Sequence, residues 1–148
     1  MESIEEVIQT LKEKIEIPLE LDGYGGCMIL LDESMPLHIE SEPSMEKILI
    51  MAEIGEIPGG AFRENVFRVA LRANAEPPPR FGIFAFSPQN DHLILFEYLP
   101  LRPLTPESLL GFLEFFVEKA KEWHENIKTG QIPILEKKMQ NPNLFGMR

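Results

Sequence analysis

Long apolar runs, paired cysteines and basic clusters are all missing from this chain, and each absence removes a class of function. No stretch approaches the roughly 20 consecutive apolar residues of a bilayer-spanning helix, so membrane insertion is not expected. The start, Met1-Glu2-Ser3-Ile4-Glu5-Glu6, has neither the basic flank nor the apolar core of a secretory signal, which predicts a cytoplasmic protein. The one cysteine, Cys27, permits no intrachain disulfide and suits a reducing compartment. Set in the apolar run Cys27 to Leu31, it reads as a small core residue rather than a reactive thiol. Lys and Arg number 14 against 24 Asp and Glu, a net charge of -10, and no Lys/Arg run offsets the acid. That balance argues against nucleic acid as a partner and against an anionic membrane surface.

Catalytic constellations are equally scarce. His38, His92 and His124 are scattered, without the spacing that gathers ligands around a metal. Ser34, Ser41, Ser44, Ser87 and Ser108 lack the Gly-x-Ser-x-Gly elbow of an esterase. Gly23-Tyr24-Gly25-Gly26 lacks the Gly-Lys-Ser/Thr that grips phosphate and reads as a turn into a strand. Glu5 and Glu6 are helix neighbours that point in different directions, so they do not make an acid/base pair. The expectation is a non-enzyme with no metal and no cofactor.

What the chain does contain is a strong pattern of apolar residues. Thr105 to Lys128 predicts one long amphipathic helix. Thr105 is a good N-cap, Pro106 sits at the first helical position and Gly130 stands just past the end. Leu109, Phe112, Phe116, Ala120, Trp123 and Ile127 recur at three- and four-residue spacing, widened by Leu110, Leu113 and Val117, which suits a helix laid across a sheet. An earlier helix starts at Ser3, with Glu6 at capping-box spacing and Ile4, Val7, Ile8, Leu11 and Ile15 as its stripe, and Pro18 stops it. A third runs from Ala61 to Ala73, carrying Phe62, Val66, Phe67, Val69, Ala70 and Leu71. Asn74 can cap it and Pro77-Pro78-Pro79 forbids continuation.

Strands are expected over Cys27 to Leu31, as a central strand covered on both faces, around Leu37 and Ile39, as a half-buried strand suited to an edge, and over Ile48 to Ile54. Phe81 to Phe86 and Leu93 to Leu99 follow as a hairpin joined through Ser87-Pro88-Gln89-Asn90-Asp91. The order helix, three strands, helix, two strands, helix predicts an α+β sandwich, a mostly antiparallel twisted sheet packed with helices. Residues 1–130 would form the domain and 131–148 a tail, partly docked through Ile132, Ile134 and Leu135 or disordered. The strands around Ile29, Ile50 and Phe84 look apolar on both sides, more than three helices can cover. Apolar surface is left over, and it points to an oligomer or a protein-binding surface.

The pattern resembles the class I type III secretion chaperones related to the Tir chaperone. The resemblance runs from Ile4 to about Ile127. It is carried by Phe67-Arg68-Val69-Ala70-Leu71-Arg72-Ala73-Asn74, by Gly82-Ile83-Phe84-Ala85-Phe86, by Leu93-Ile94-Leu95-Phe96-Glu97-Tyr98-Leu99-Pro100-Leu101, and by Phe112 through Trp123. Pro77-Pro78-Pro79 and the segment after Gly130 depart from the family pattern. The resemblance implies a small acidic cytosolic dimer, a homodimer or a heterodimer with a related chaperone. Such a dimer holds the N-terminal region of a secreted effector in extended form, adding a strand at a sheet edge and taking apolar side chains into grooves. It further implies that Ile4, Val7, Ile8 and Leu11 line the effector groove, and that Phe62, Val66, Phe67 and Ala70 lie at the dimer interface. Two other readings stand beside it: a small ligand-binding domain or enzyme, and a subunit of a permanent heteromeric complex.

Overall fold

In the strands over residues 27–31, 35–41 and 47–56, burial alternates with the side-chain period of two, and the alternation decides the architecture. The computed structural model describes residues 1–135, and the rest of the expected tail lies outside the described residues. The elements are α1 (Ile4–Lys14), β1 (Glu20–Leu21), β2 (Cys27–Leu31), β3 (Met35–Ser41), β4 (Lys47–Glu56), α2 (Ala61–Asn74), β5 (Ile83–Ser87), β6 (His92–Pro100) and α3 (Pro106–Lys128). The strands form one six-stranded sheet in the order β1-β2-β3-β4-β6-β5, with every neighbouring pair antiparallel.

The register places Ile29, Leu37, Ala52, Leu95 and Phe84 in one row across the sheet, all on one face and all buried. Ile39, Ile48, Ile50 and Leu93 extend that face, and the stripes of all three helices join it in a single core. α3 lies over β4, α2 lies beside β5, and Lys12 of α1 is close enough to Cys27 to act on its thiol. The opposite face carries Met28, His38, Met51, Phe96 and Ile83 in its central row, and none of these is fully buried. Helices therefore cover one face of the sheet and leave the other open.

The local chemistry explains the element boundaries. Thr105 Oγ1 accepts from the Ser108 amide at 3.1 Å while Ser108 Oγ accepts from the Thr105 amide at 2.9 Å, a capping box that starts α3. Ser3 Oγ accepts from the Glu6 amide at 3.3 Å, but the Glu6 carboxylate reaches the amide of Glu2 at 3.0 Å rather than that of Ser3. β4 is broken by a bulge at Gly55, whose φ of 146° favours glycine. The freed Ile54 carbonyl accepts from His124 Nδ1 at 2.6 Å, and His124 Nε2 meets Ser34 Oγ at 3.2 Å. His124 thus ties α3 to the bulge and to the β2–β3 turn. At Gly82 a Cβ would sit 2.7 Å from Leu95 Cγ and 3.0 Å from a Phe116 ring atom, so this close approach requires glycine.

Several sequence expectations change. β2 is not a central strand covered on both faces: it lies next to the edge, and Leu30 on its open side is 41% exposed. β3 lies inside the sheet, not at an edge. β1, between the Pro18 stop and the turn at Gly23, is a strand the sequence did not predict, and its two residues are too few to show a period. In the predicted tail, Ile132 and Leu135 pack against the core while Ile134 points to solvent.

The two sheet edges differ. At the β5 edge, Asn74 at the end of α2 accepts from the Phe84 amide at 2.8 Å and donates Nδ2 to the Phe84 carbonyl at 3.0 Å. A side-chain amide there takes the place of a neighbouring strand. At the β1 edge only β2 pairs with the strand among the described residues, on its inner side. Replacing Asn74 with Ala leaves both Phe84 groups without this partner and should cost about 1–3 kcal/mol, read as a lower urea midpoint at unchanged slope. A midpoint equal to the wild type would show that Asn74 does not hold this edge.

Candidate interaction surfaces

Neither Ile4, Val7, Ile8 nor Leu11 reaches solvent to any useful degree. Val7 and Leu11 are 0% exposed, and Ile4 and Ile8 are buried with them in the core between α1 and the sheet. In the structure described here the stripe of α1 attaches the helix to the sheet. Of the second group, Val66 and Ala70 are buried, while Phe62 and Phe67 are half-buried at the margin of the core. Phe67 meets the edge of the Phe86 ring at 5.0 Å between centroids, and the Arg63 guanidinium lies over the same ring at 5.1 Å. Phe67, Ala70, Leu71, Phe84 and Phe86 line a shallow apolar concavity between α2 and β5, and Leu71 is 68% exposed on its rim. An exposed leucine beside half-buried aromatics is the arrangement a second apolar surface would cover.

The open sheet face is the larger apolar surface. Met28, Leu30, Leu49, Met51, Ile94, Phe96, Tyr98 and Ile83 point to this side, half-buried or exposed. In its midst His38 Nε2 lies 2.8 Å from Glu53 Oε2, and His92 Nδ1 lies 3.4 Å from Glu53 Oε1. The second contact is poorly aligned: His92 Nδ1 is buried and makes no hydrogen bond. The histidines are far apart in sequence, and only the cross-strand register brings both to one carboxylate. Among the described residues, no group of His, Cys, Asp and Glu is arranged to hold a metal ion.

At the free edge, Leu21 is 62% exposed and Tyr24 is 95% exposed in the following turn. Asp22 organises that turn, its Oδ1 accepting from the Tyr24 amide at 2.7 Å and the Gly26 amide at 2.9 Å. Cys27, beneath, is inert: burial first and then the Asp22 carboxylate push its thiol up to about 11, so it carries almost no thiolate near neutral pH. On the outer side of α3, Phe115 stacks on Phe81 at 4.7 Å, above a concavity reached by Trp123 and Leu135. These surfaces are broad and open to solvent, as protein-binding surfaces are. Among the described residues, no helix is long and apolar enough to cross a membrane.

Because Val7 and Leu11 face the core, changing both to Asp should unfold the chain, since each buried, unpaired carboxylate costs several kcal/mol. Circular dichroism checks this directly. A double variant with native helix content and melting behaviour would show that α1 is not bound to the sheet through these residues.

A search among curated proteins finds no match. Among solved structures, the ExsC–ExsE complex contains a chain that aligns with a TM-score of 0.62 at 22% identity, over 86% of this chain and 97% of that one. The HopA1–SchA chaperone–effector complex gives 0.61 at 16% identity, over 82% and 94%. The Yersinia pestis type III secretion chaperone SycH, in complex with a fragment of YscM2, gives 0.55 at 17% identity, over 77% and 92%. At these identities the three share the fold with this chain. The profile of the Tir chaperone protein (CesT) family matches residues 6–124, most of the sequence, from within α1 to near the end of α3, and the chain therefore belongs to the Tir chaperone protein (CesT) family.

Proposed function

We propose that this chain is a type III secretion chaperone that acts in the cytoplasm as a dimer, binds the N-terminal region of a secreted effector in extended form, and catalyses no reaction. Family membership supports the chaperone class. The observation that carries the binding mode is the open sheet face running out to the unpaired β1 edge. An extended chain gains main-chain hydrogen bonds at such an edge and buries alternate side chains on the adjoining surface. Partner complexes recorded for the structural neighbours, HopA1 with SchA and YscM2 with SycH, agree with this role.

The sequence expectation that Ile4, Val7, Ile8 and Leu11 line the effector groove takes a different form here. These side chains support the sheet from behind, and the effector lies on the uncovered face around Met28, Met51 and Phe96. The dimer contact lies on the outer side of α2, where Phe67, Ala70 and Leu71 meet β5. Phe62 borders it and Val66 backs it from the core.

Two measurements test the reading. Light scattering of the purified chain should give twice the chain mass, and Phe67→Glu should shift it to one chain mass with native circular dichroism. A wild-type monomer at high micromolar concentration, with no related chaperone present, would contradict the dimer. Affinity purification from the native bacterium should recover a secreted protein that remains bound in about 1 M salt, where exposed charge pairs are largely screened. Recovery of no secreted protein, or chemical conversion of the recovered one, would overturn the chaperone reading.

A further inference from the structure

Among the described residues, the two edges of the sheet differ in what they leave free. β5 presents Phe84 outward, and Asn74 already occupies both of its backbone groups. Among the described residues β1 pairs only with β2, so its outer backbone groups face away from the sheet. The side chains beside that free edge are segregated by face. Leu21 stands opposite Cys27 on the helix-covered side and is largely exposed. Glu20 stands opposite Met28 on the open side, where Glu40 follows two residues beyond His38. Asp22 joins them: a Cβ built on Gly26 would sit 2.6 Å from Asp22 Oδ2 and 3.1 Å from Glu40 Cγ, so both acidic side chains flank this glycine. Glu20, Asp22 and Glu40 have no ion-pair partner among the described residues.

An added strand sends alternate side chains to opposite faces. Resting on the chaperone reading above, we infer that the segment added at β1 alternates apolar with basic residues. Its apolar set packs beside Leu21 and its Lys or Arg set lies over Glu20, Asp22 and Glu40. The edge thereby selects a client by the period of its charge as well as by its hydrophobicity. A segment with the same composition in two blocks puts half of its lysines against Leu21 and gains little. An apolar/acidic alternation meets three carboxylates and is rejected.

Fluorescence polarisation of the full chain with end-blocked peptides of about eight residues, a long strand's length, tests this. The probes are alternating Val and Lys, the same composition in two blocks, and alternating Val and Glu. The alternating Val/Lys peptide should bind about tenfold more tightly than the blocked one, the sum of a few cross-strand charge pairs. The pair Glu20→Lys and Glu40→Lys should abolish that preference. Glu114→Lys with Glu125→Lys on exposed α3 positions changes net charge equally and should retain it. Equal binding of blocked and alternating peptides, preference for Val/Glu, equal loss in the α3 variant, or no binding of any peptide to a folded chain would each overturn the inference. Capture of a native secreted protein undiminished by the Glu20/Glu40 change would also overturn it while leaving the chaperone reading standing.

Discussion

Helix and strand dimensions fix how much of a sheet a few helices can cover. A helix with its side chains is about 10 Å across, and strands lie about 4.8 Å apart, so three helices side by side span about one face of a six-stranded sheet. α1, α2 and α3 join the same face in one core, and nothing among the described residues covers the other. The consequences follow in turn. Ile50, Ala52 and Leu95 are fully buried, while Met51, Phe96 and Tyr98 on the same strands remain partly in contact with water. A chain with a net charge of -10 tolerates such a face because its apolar side chains shield one another along cross-strand rows.

The same economy of cover distinguishes the edges. α2 ends where Asn74 occupies both backbone groups of Phe84 in β5, which blocks the pairing of another strand at that residue. The short β1 has no such partner beyond β2 among the described residues. A block at one end and openness at the other give the sheet a direction. The α2 side is suited to side-chain contact with another folded chain, and the β1 side to main-chain pairing with an unfolded one.

Much of this was legible in the sequence. The span and caps of α3 followed from Thr105, Pro106 and Gly130, because capping is a local chemistry that tertiary structure rarely overrides, and Gly130 does adopt a φ of 75°. The surplus of apolar strand surface was also visible, since three strands with apolar residues on both sides exceed what three helices cover. Which face stayed open was not visible. A periodic apolar stripe such as Ile4, Val7, Ile8 and Leu11 looks the same whether it meets a sheet or a partner, and the groove expected there rests on the family resemblance rather than on the stripe. Strand order was hidden for a similar reason: Leu37 and Ile39 alternate with polar neighbours, a pattern that fits an edge strand and also an interior strand with one face bare. The meeting of His38 and His92 at Glu53, and of Asn74 with Phe84, depends on register and on the placing of α2, neither of which leaves a local mark.

The central claim is that a client binds at the β1 edge and the uncovered face, with α1 as a support. Hydrogen exchange of the full chain, alone and with its co-purified secreted partner, tests this most directly, because a newly paired edge strand protects amides that are otherwise free to exchange. The account predicts slowed exchange at residues 20–31 and along β3, β4 and β6, with α1 unchanged. Protection confined to α1 or to the outer surface of α3, with residues 20–31 exchanging as in the free chain, would contradict it.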